Sequence, residues 1–169
     1  MNGATALAAG IDNDTSEKGY TLQPEYDQSL AYQPDIVVIM LGTNDCKTRY
    51  KASASVIAKG LDQVIRKARQ NASRHFDLLV ISPIHLGVGV GDADFDPEFD
   101  ADSVAVSRNL ANEYRKIALQ NHAAFLNASD FAAPSVTDRE HMDEKGHAAL
   151  ADAIYNKILA LQKGLSHVI

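Results

Sequence analysis

Two short polar segments carry the side chains best suited to chemistry. Asp138-Arg139-Glu140-His141 puts a carboxylate and an imidazole three residues apart. In a turn, that spacing lets the carboxylate reach one ring nitrogen while the other faces outward. An imidazole held this way is fixed in one tautomer, and its charged form is stabilised when it takes a proton from a nucleophile. Asp138 is then the orienting group and His141 the general base. Gly42-Thr43-Asn44-Asp45 supplies a glycine that permits a sharp bend and an amide side chain that can donate hydrogen bonds. A neutral donor such as Asn44 suits an oxygen on which negative charge develops. Each segment alone also fits an ordinary turn, because Gly, Asn and Asp are turn formers.

Such groups need a rigid scaffold, and the flanking sequence predicts one. Residues 35–41 (DIVVIML) form a continuous apolar run rich in β-branched side chains and closed by Gly42, the pattern of a strand buried on both faces. Residues 53–70 place Val56, Ile57, Leu61, Val64, Ile65 and Ala68 at helical spacing with charges between them. A second buried strand spans 78–81 (LLVI), and a helix follows between about 103 and 121. A short third strand at 124–126 (AFL) precedes a polar loop and a closing helix from about 144 to 162, carried by Leu150, Ile154, Ile158 and Leu161. Strand and helix therefore alternate, as in a parallel sheet with right-handed crossovers. In such a sheet ligands bind beyond the carboxyl ends of the strands, and both polar segments fall after predicted strands.

The 169 residues are expected to form a single domain over 1–169, since one domain commonly takes roughly 100 to 200 residues. Apolar residues make up 46% and charged residues 22%, with no apolar run long enough to cross a membrane, so fibrous, disordered and membrane-spanning classes are excluded. The net charge of -6 comes largely from Asp92, Asp94, Asp96, Glu98, Asp100 and Asp102, and the rest is nearly balanced. No basic stripe for nucleic acid is present. Cys46 is the only cysteine, which excludes an internal disulfide or a cysteine-based zinc site. The start lacks the basic and apolar regions of a secretion signal, so a cytoplasmic address is expected, although a missing N-terminus would hide such a signal.

The acid-rich segment lies in the one long irregular stretch, 84–102, which is expected to be a solvated surface loop over one end of the sheet. Its alternating acids do not match a calcium loop, because Pro97 stands where glycine is needed and Ser103 where glutamate is needed. His147 is not at the i, i+4 spacing of a metal pair and is expected to help pack or cap the last helix. Neither a metal nor a cofactor is expected. Cys46 beside the Asn44 turn is expected to be a buried small hydrophobe rather than a nucleophile.

Taken together, the strand-GTND and D-x-x-H-x-x-x-x-G-H arrangement resembles the third and fifth sequence blocks of the SGNH hydrolases, the GDSL-type esterases. Residues 39–61 (IMLGTNDCKTRYKASASVIAKGL) look like the arylesterase and acyltransferase branch, where GTND is followed by a Lys and an aromatic. Asn2-Gly3-Ala4-Thr5 is similar to the family's second block. The resemblance implies a three-layer α/β/α, flavodoxin-like fold acting on a small ester. It implies a Ser-His-Asp mechanism with Asp138 and His141 as triad members, and the Asn44 side chain and the Gly3 backbone NH as oxyanion donors.

The family's first block, a GDS-type turn bearing the nucleophile, has no counterpart here. Ser53 and Ser55 fall at a helix start, Ser103 and Ser107 in a helix, and Ser82 before Pro83, none in a glycine-flanked elbow. The nucleophile is therefore unknown, and the chain is expected to be N-terminally truncated. In the family's 2-1-3-4-5 strand order, loss of the first two strands leaves DIVVIML as an apolar edge, so a homo-oligomer or a complementing N-terminal segment is expected. Two rivals remain. One is a non-catalytic binding module that keeps the cleft; the other is a nucleotide binder sharing only the architecture, for which no glycine-rich phosphate loop is present.

Overall fold

The computed structural model describes residues 33–164. Three parallel strands, β1 (Ile36–Met40), β2 (Asp77–Ser82) and β3 (Ala124–Asn127), lie in the order β1-β2-β3. Ile36 pairs with Asp77 and Met40 with Ile81 across the first ladder, and Leu79 pairs with Ala124 across the second. Helix α1 (Ala54–Asn71) connects β1 to β2, α2 (Ala101–Gln120) connects β2 to β3, and α3 (Glu144–Gln162) follows β3. The alternation expected from the sequence is thus the observed one, with a parallel sheet between helical layers.

The two-residue period of a strand sends alternate side chains to opposite faces. Val37, Ile39, Leu78 and Val80 enter one core with Leu61 and Ile65 of α1 and Leu110 and Tyr114 of α2. Leu79, Ile81 and Leu126 enter a second core with Leu150, Ala153 and Leu161 of α3. Both crossover helices lie on one face because the strand order advances in one direction with crossovers of one hand. Among the described residues α3 is the helix on the other face, where Leu150, Ala153 and Leu161 are buried and Ile154 and Ile158 are only partly buried. Among the described residues β1 has a strand neighbour on one side only, and no helix is long and apolar enough to cross a membrane.

Two helix starts show how caps set the boundaries. α2 begins two residues ahead of its predicted start, because Asp100 Oδ1 accepts from Ser103 N at 2.8 Å and Ser103 Oγ accepts from Asp100 N at 3.2 Å. This reciprocal box satisfies free amide groups of the first turn. α3 is capped by Asp143, whose Oδ1 accepts from Gly146 N at 2.7 Å. His147 neither packs nor caps there; it is exposed, and the sequence expectation for it is corrected.

The segment between β2 and α2 is also corrected. It is solvated only in part: Val88, Asp92, Asp94 and Asp100 are exposed, whereas Ile84, Leu86, Val90 and Phe99 are buried. Four of its five acids have structural partners, and Asp102 lies in the first turn of α2. Asp92 pairs with Arg139, Asp96 accepts from Glu98 N, Glu98 pairs with Lys47 and Arg49, and Asp100 caps α2.

Candidate active site

GTND leaves the carboxyl end of β1. Gly42 adopts φ +121°, a conformation that side chains with a Cβ rarely take, and Asn44 then opens a 3-10 turn, Asn44–Cys46. The turn is pinned from beneath: Tyr114 Oη donates to Leu41 O at 3.0 Å and Cys46 Sγ donates to Gly42 O at 3.3 Å. Asn44 is half-buried, and its side-chain amide bonds to no other described residue, so its donors stay available to a ligand.

The second motif lies in a closed turn after β3. Ser135 N donates to His141 O at 2.7 Å, Arg139 N donates to Ser135 O at 3.0 Å, and Pro134 and Met142 form an antiparallel bridge at its base. Inside this turn Asp138 Oδ2 lies 2.8 Å from His141 Nδ1. Its other oxygen accepts from His141 N at 2.9 Å, Glu140 N at 3.0 Å and Ser135 Oγ at 3.0 Å. Desolvation pushes the Asp138 carboxyl pKa up, but the backbone bonds from Glu140 and His141, the imidazole and the Ser135 hydroxyl outweigh it, leaving the pKa well below the usual carboxylate range. An ionised carboxylate can only accept, so Nδ1 is the donor in this contact and Nε2 is the ring nitrogen left without that partner. The His141 side chain is 72% exposed, and nothing among the described residues encloses it.

Residues 84–99 connect the two motifs. Gly87 N donates to Arg139 O at 2.7 Å, and at the far end Thr48 N donates to Glu98 O at 2.8 Å. The Glu98 carboxylate accepts from Lys47 Nζ at 2.6 Å and Arg49 Nη1 at 2.9 Å. The hydrogen bond to Glu98 raises the Lys47 pKa, and the same contact lowers that of Glu98. Burial raises the Glu140 pKa, with smaller effects from the charges of His141, Asp96 and Lys47. The segment after β2 therefore bonds both to the turn bearing His141 and to the residues following Asn44.

None of the serines weighed from the sequence is aimed at His141. Ser82 is 1% exposed and donates to Asn127 Oδ1 at 2.9 Å. Ser103 belongs to the α2 cap, Ser107 donates to Val104 O, and Ser53 and Ser55 bond to each other. Burial, with the Asp45 charge adding to it, pushes the Cys46 thiol up to about 12, which removes it as a nucleophile near neutral pH. Gly3 lies outside the described residues. Among the described residues no His, Cys, Asp and Glu side chains cluster as a metal site. The sequence reading missed Ser135 and Arg139; a Ser three residues before the Asp was the available signal for the first.

A family profile described as the GDSL-like Lipase/Acylhydrolase family matches residues 1–149. The chain belongs to this family. As a GDSL-like protein it is 25% identical over 151 residues to an acetylxylan esterase of Xylanibacter ruminicola, an alignment covering 80% of this chain and 31% of that protein. It thus spans about a third of that relative's length. One solved structure is 34% identical, with a TM-score of 0.75, 80% of this chain covered and 64% of the other. Est24, a carbohydrate acetylesterase from Sinorhizobium meliloti, is 24% identical with a TM-score of 0.75, covering 94% of this chain and 74% of its own. The inhibitor-bound M. smegmatis aryl esterase is 24% identical with a TM-score of 0.74, covering 90% and 73% respectively. These last two establish that the GDSL-like chain shares their fold.

Proposed function

We propose that this GDSL-like chain carries the oxyanion and general-base half of a carboxylic-ester hydrolase. The observation that carries the reading is the Asp138 carboxylate, with three donors on one oxygen and the His141 imidazole on the other at 2.8 Å. A serine supplied from outside the described residues attacks the ester carbonyl, and His141 Nε2 takes its proton while Asp138 stabilises the imidazolium. Asn44, with the Gly3 NH, receives the charge on the carbonyl oxygen. Collapse expels the alcohol, protonated by His141, and water then releases the acid by the same route. Small acyl groups, acetyl in particular, are the favoured substrates, in keeping with the names of the relatives, and transfer to another alcohol uses the same intermediate.

The side of β1 that has no strand neighbour among the described residues is where we propose that a serine-bearing segment or a second copy pairs. The decisive experiment measures p-nitrophenyl acetate hydrolysis and fluorophosphonate labelling, for the chain alone and with a GDS-bearing N-terminal segment joined to it. Asn44→Ala in the active form should lower kcat by about 10² to 10³ with a much smaller change in KM. Unchanged kcat would remove Asn44 from the mechanism. No described serine bonds to His141, and this favours one second reading, a binding module that keeps the cleft without turnover. Failure of both hydrolysis and labelling in the extended protein would establish it.

A further inference from the structure

Arg139 stands between the two members of the Asp138/His141 pair, and its backbone is out of the ordinary. It adopts φ 61°, the left-handed region where a residue with a Cβ is disfavoured and glycine is at ease. A non-glycine residue persists there when its surroundings hold it, and such positions cluster where function requires a fixed geometry. The bend is useful: it brings Glu140 N and His141 N onto one oxygen of Asp138 and leaves the other oxygen facing the ring. Glycine would serve the bend alone. The arginine side chain must therefore do something glycine cannot.

What it does is grip the segment that follows β2. Arg139 Nη1 donates to Val88 O at 2.9 Å and lies 3.1 Å from Asp92 Oδ2, and the guanidinium stands 4.1 Å from the centre of the Phe95 ring. Arg139 O accepts from Gly87 N, and the approach is so close that a Cβ on Gly87 would come 2.8 Å from Arg139 Cβ. The same segment ends on Glu98, which grips Lys47 and Arg49 just beyond the Asn44 turn. Between the two grips it is anchored by the buried Val90, and the buried Phe99 follows Glu98 directly.

We propose that residues 87–98 form a strap holding the base and the oxyanion donor in register, and that Arg139 is the positioning residue clamping the strap to the turn of His141. The planar guanidinium suits this task, since it satisfies a carbonyl, a carboxylate and an aromatic face together. The inference rests on His141 being the general base, but its first two readouts require no turnover.

The test compares Arg139→Gly with the parent chain. Glycine relaxes the backbone at φ 61°, so the turn and the fold survive while the grip is lost. Proteolysis within 87–98 should accelerate by about tenfold or more, and the His141 Nδ1 proton, followed by NMR in histidine-labelled chain, should exchange faster. In the esterase-active form kcat should fall by about 10- to 100-fold with KM little changed, as expected when a reacting group is misplaced by a fraction of an ångström. Gly87→Ala, which displaces the strap from the opposite side and leaves Arg139 intact, should give the same pattern. Parent-like strap protection and Nδ1 exchange in both variants would overturn the proposal. If the exchange changes appear but no extended form hydrolyses esters, the strap stands and the esterase reading falls.

Discussion

Ser135 Oγ donates to Asp138 Oδ1 at 3.0 Å, completing three donors on the oxygen that does not face the His141 imidazole. With that oxygen saturated, the carboxylate has no reason to rotate, and Oδ2 stays on the imidazole. Because the hydrogen bonds to Asp138 outweigh its desolvation and hold its pKa below the ordinary range, its stabilising contribution is present above the unfolded value of about 3.9. That contribution is lost as pH falls through the folded value. Ser135→Ala removes one of those bonds and raises the folded pKa, so the acid-unfolding midpoint followed by far-UV circular dichroism should move to higher pH. An unchanged midpoint would mean the backbone donors suffice alone.

The linkage runs in the opposite direction at Cys46. Its thiol pKa is pushed up to about 12 by burial, with Asp45 adding to the effect, against an ordinary value near 9. The stability linked to it is complete below the unfolded value and is lost as pH rises toward the folded one. Between about pH 8.5 and 10.5 the parent chain should therefore lose roughly 1–2 kcal/mol more than Cys46→Ala, measured by urea unfolding. The same thiol should resist iodoacetamide at neutral pH until the chain is unfolded. Rapid labelling of the native protein would contradict its burial.

Gly42 is under a double constraint. It sits at φ +121°, and a Cβ there would overlap the Tyr114 hydroxyl that donates to Leu41 O. Gly42→Ala should cost about 1–3 kcal/mol by thermal or urea unfolding, combining backbone strain with displacement of a fully buried ring. Tyr114→Phe makes room without adding a methyl, so Gly42→Ala in that background should cost less. Additive losses would show that the clash is not the cause.

The amino-acid sequence by itself determined the order of strands and helices, the two buried faces of the sheet and the spacing of Asp138 and His141. These are local properties: β-branched runs, helical periodicity and a three-residue interval are written in contiguous residues. The Asn44 turn was equally legible because it follows an apolar run directly. The acid-rich stretch before α2 was read as wholly solvated because the partners of Asp92 and Glu98 and the burial of Val90 and Phe99 depend on remote residues. Arg139 and Val88 are 51 residues apart in the chain, as Lys47 and Glu98 are. No periodicity encodes such pairings. They arise when the parallel sheet brings the ends of β1, β2 and β3 side by side, and that adjacency alone allowed the loop after β2 to reach both the turn following Asn44 and the histidine turn. The left-handed backbone at Arg139 was illegible for the same reason, since a residue with a Cβ takes it only when distant contacts offset the strain.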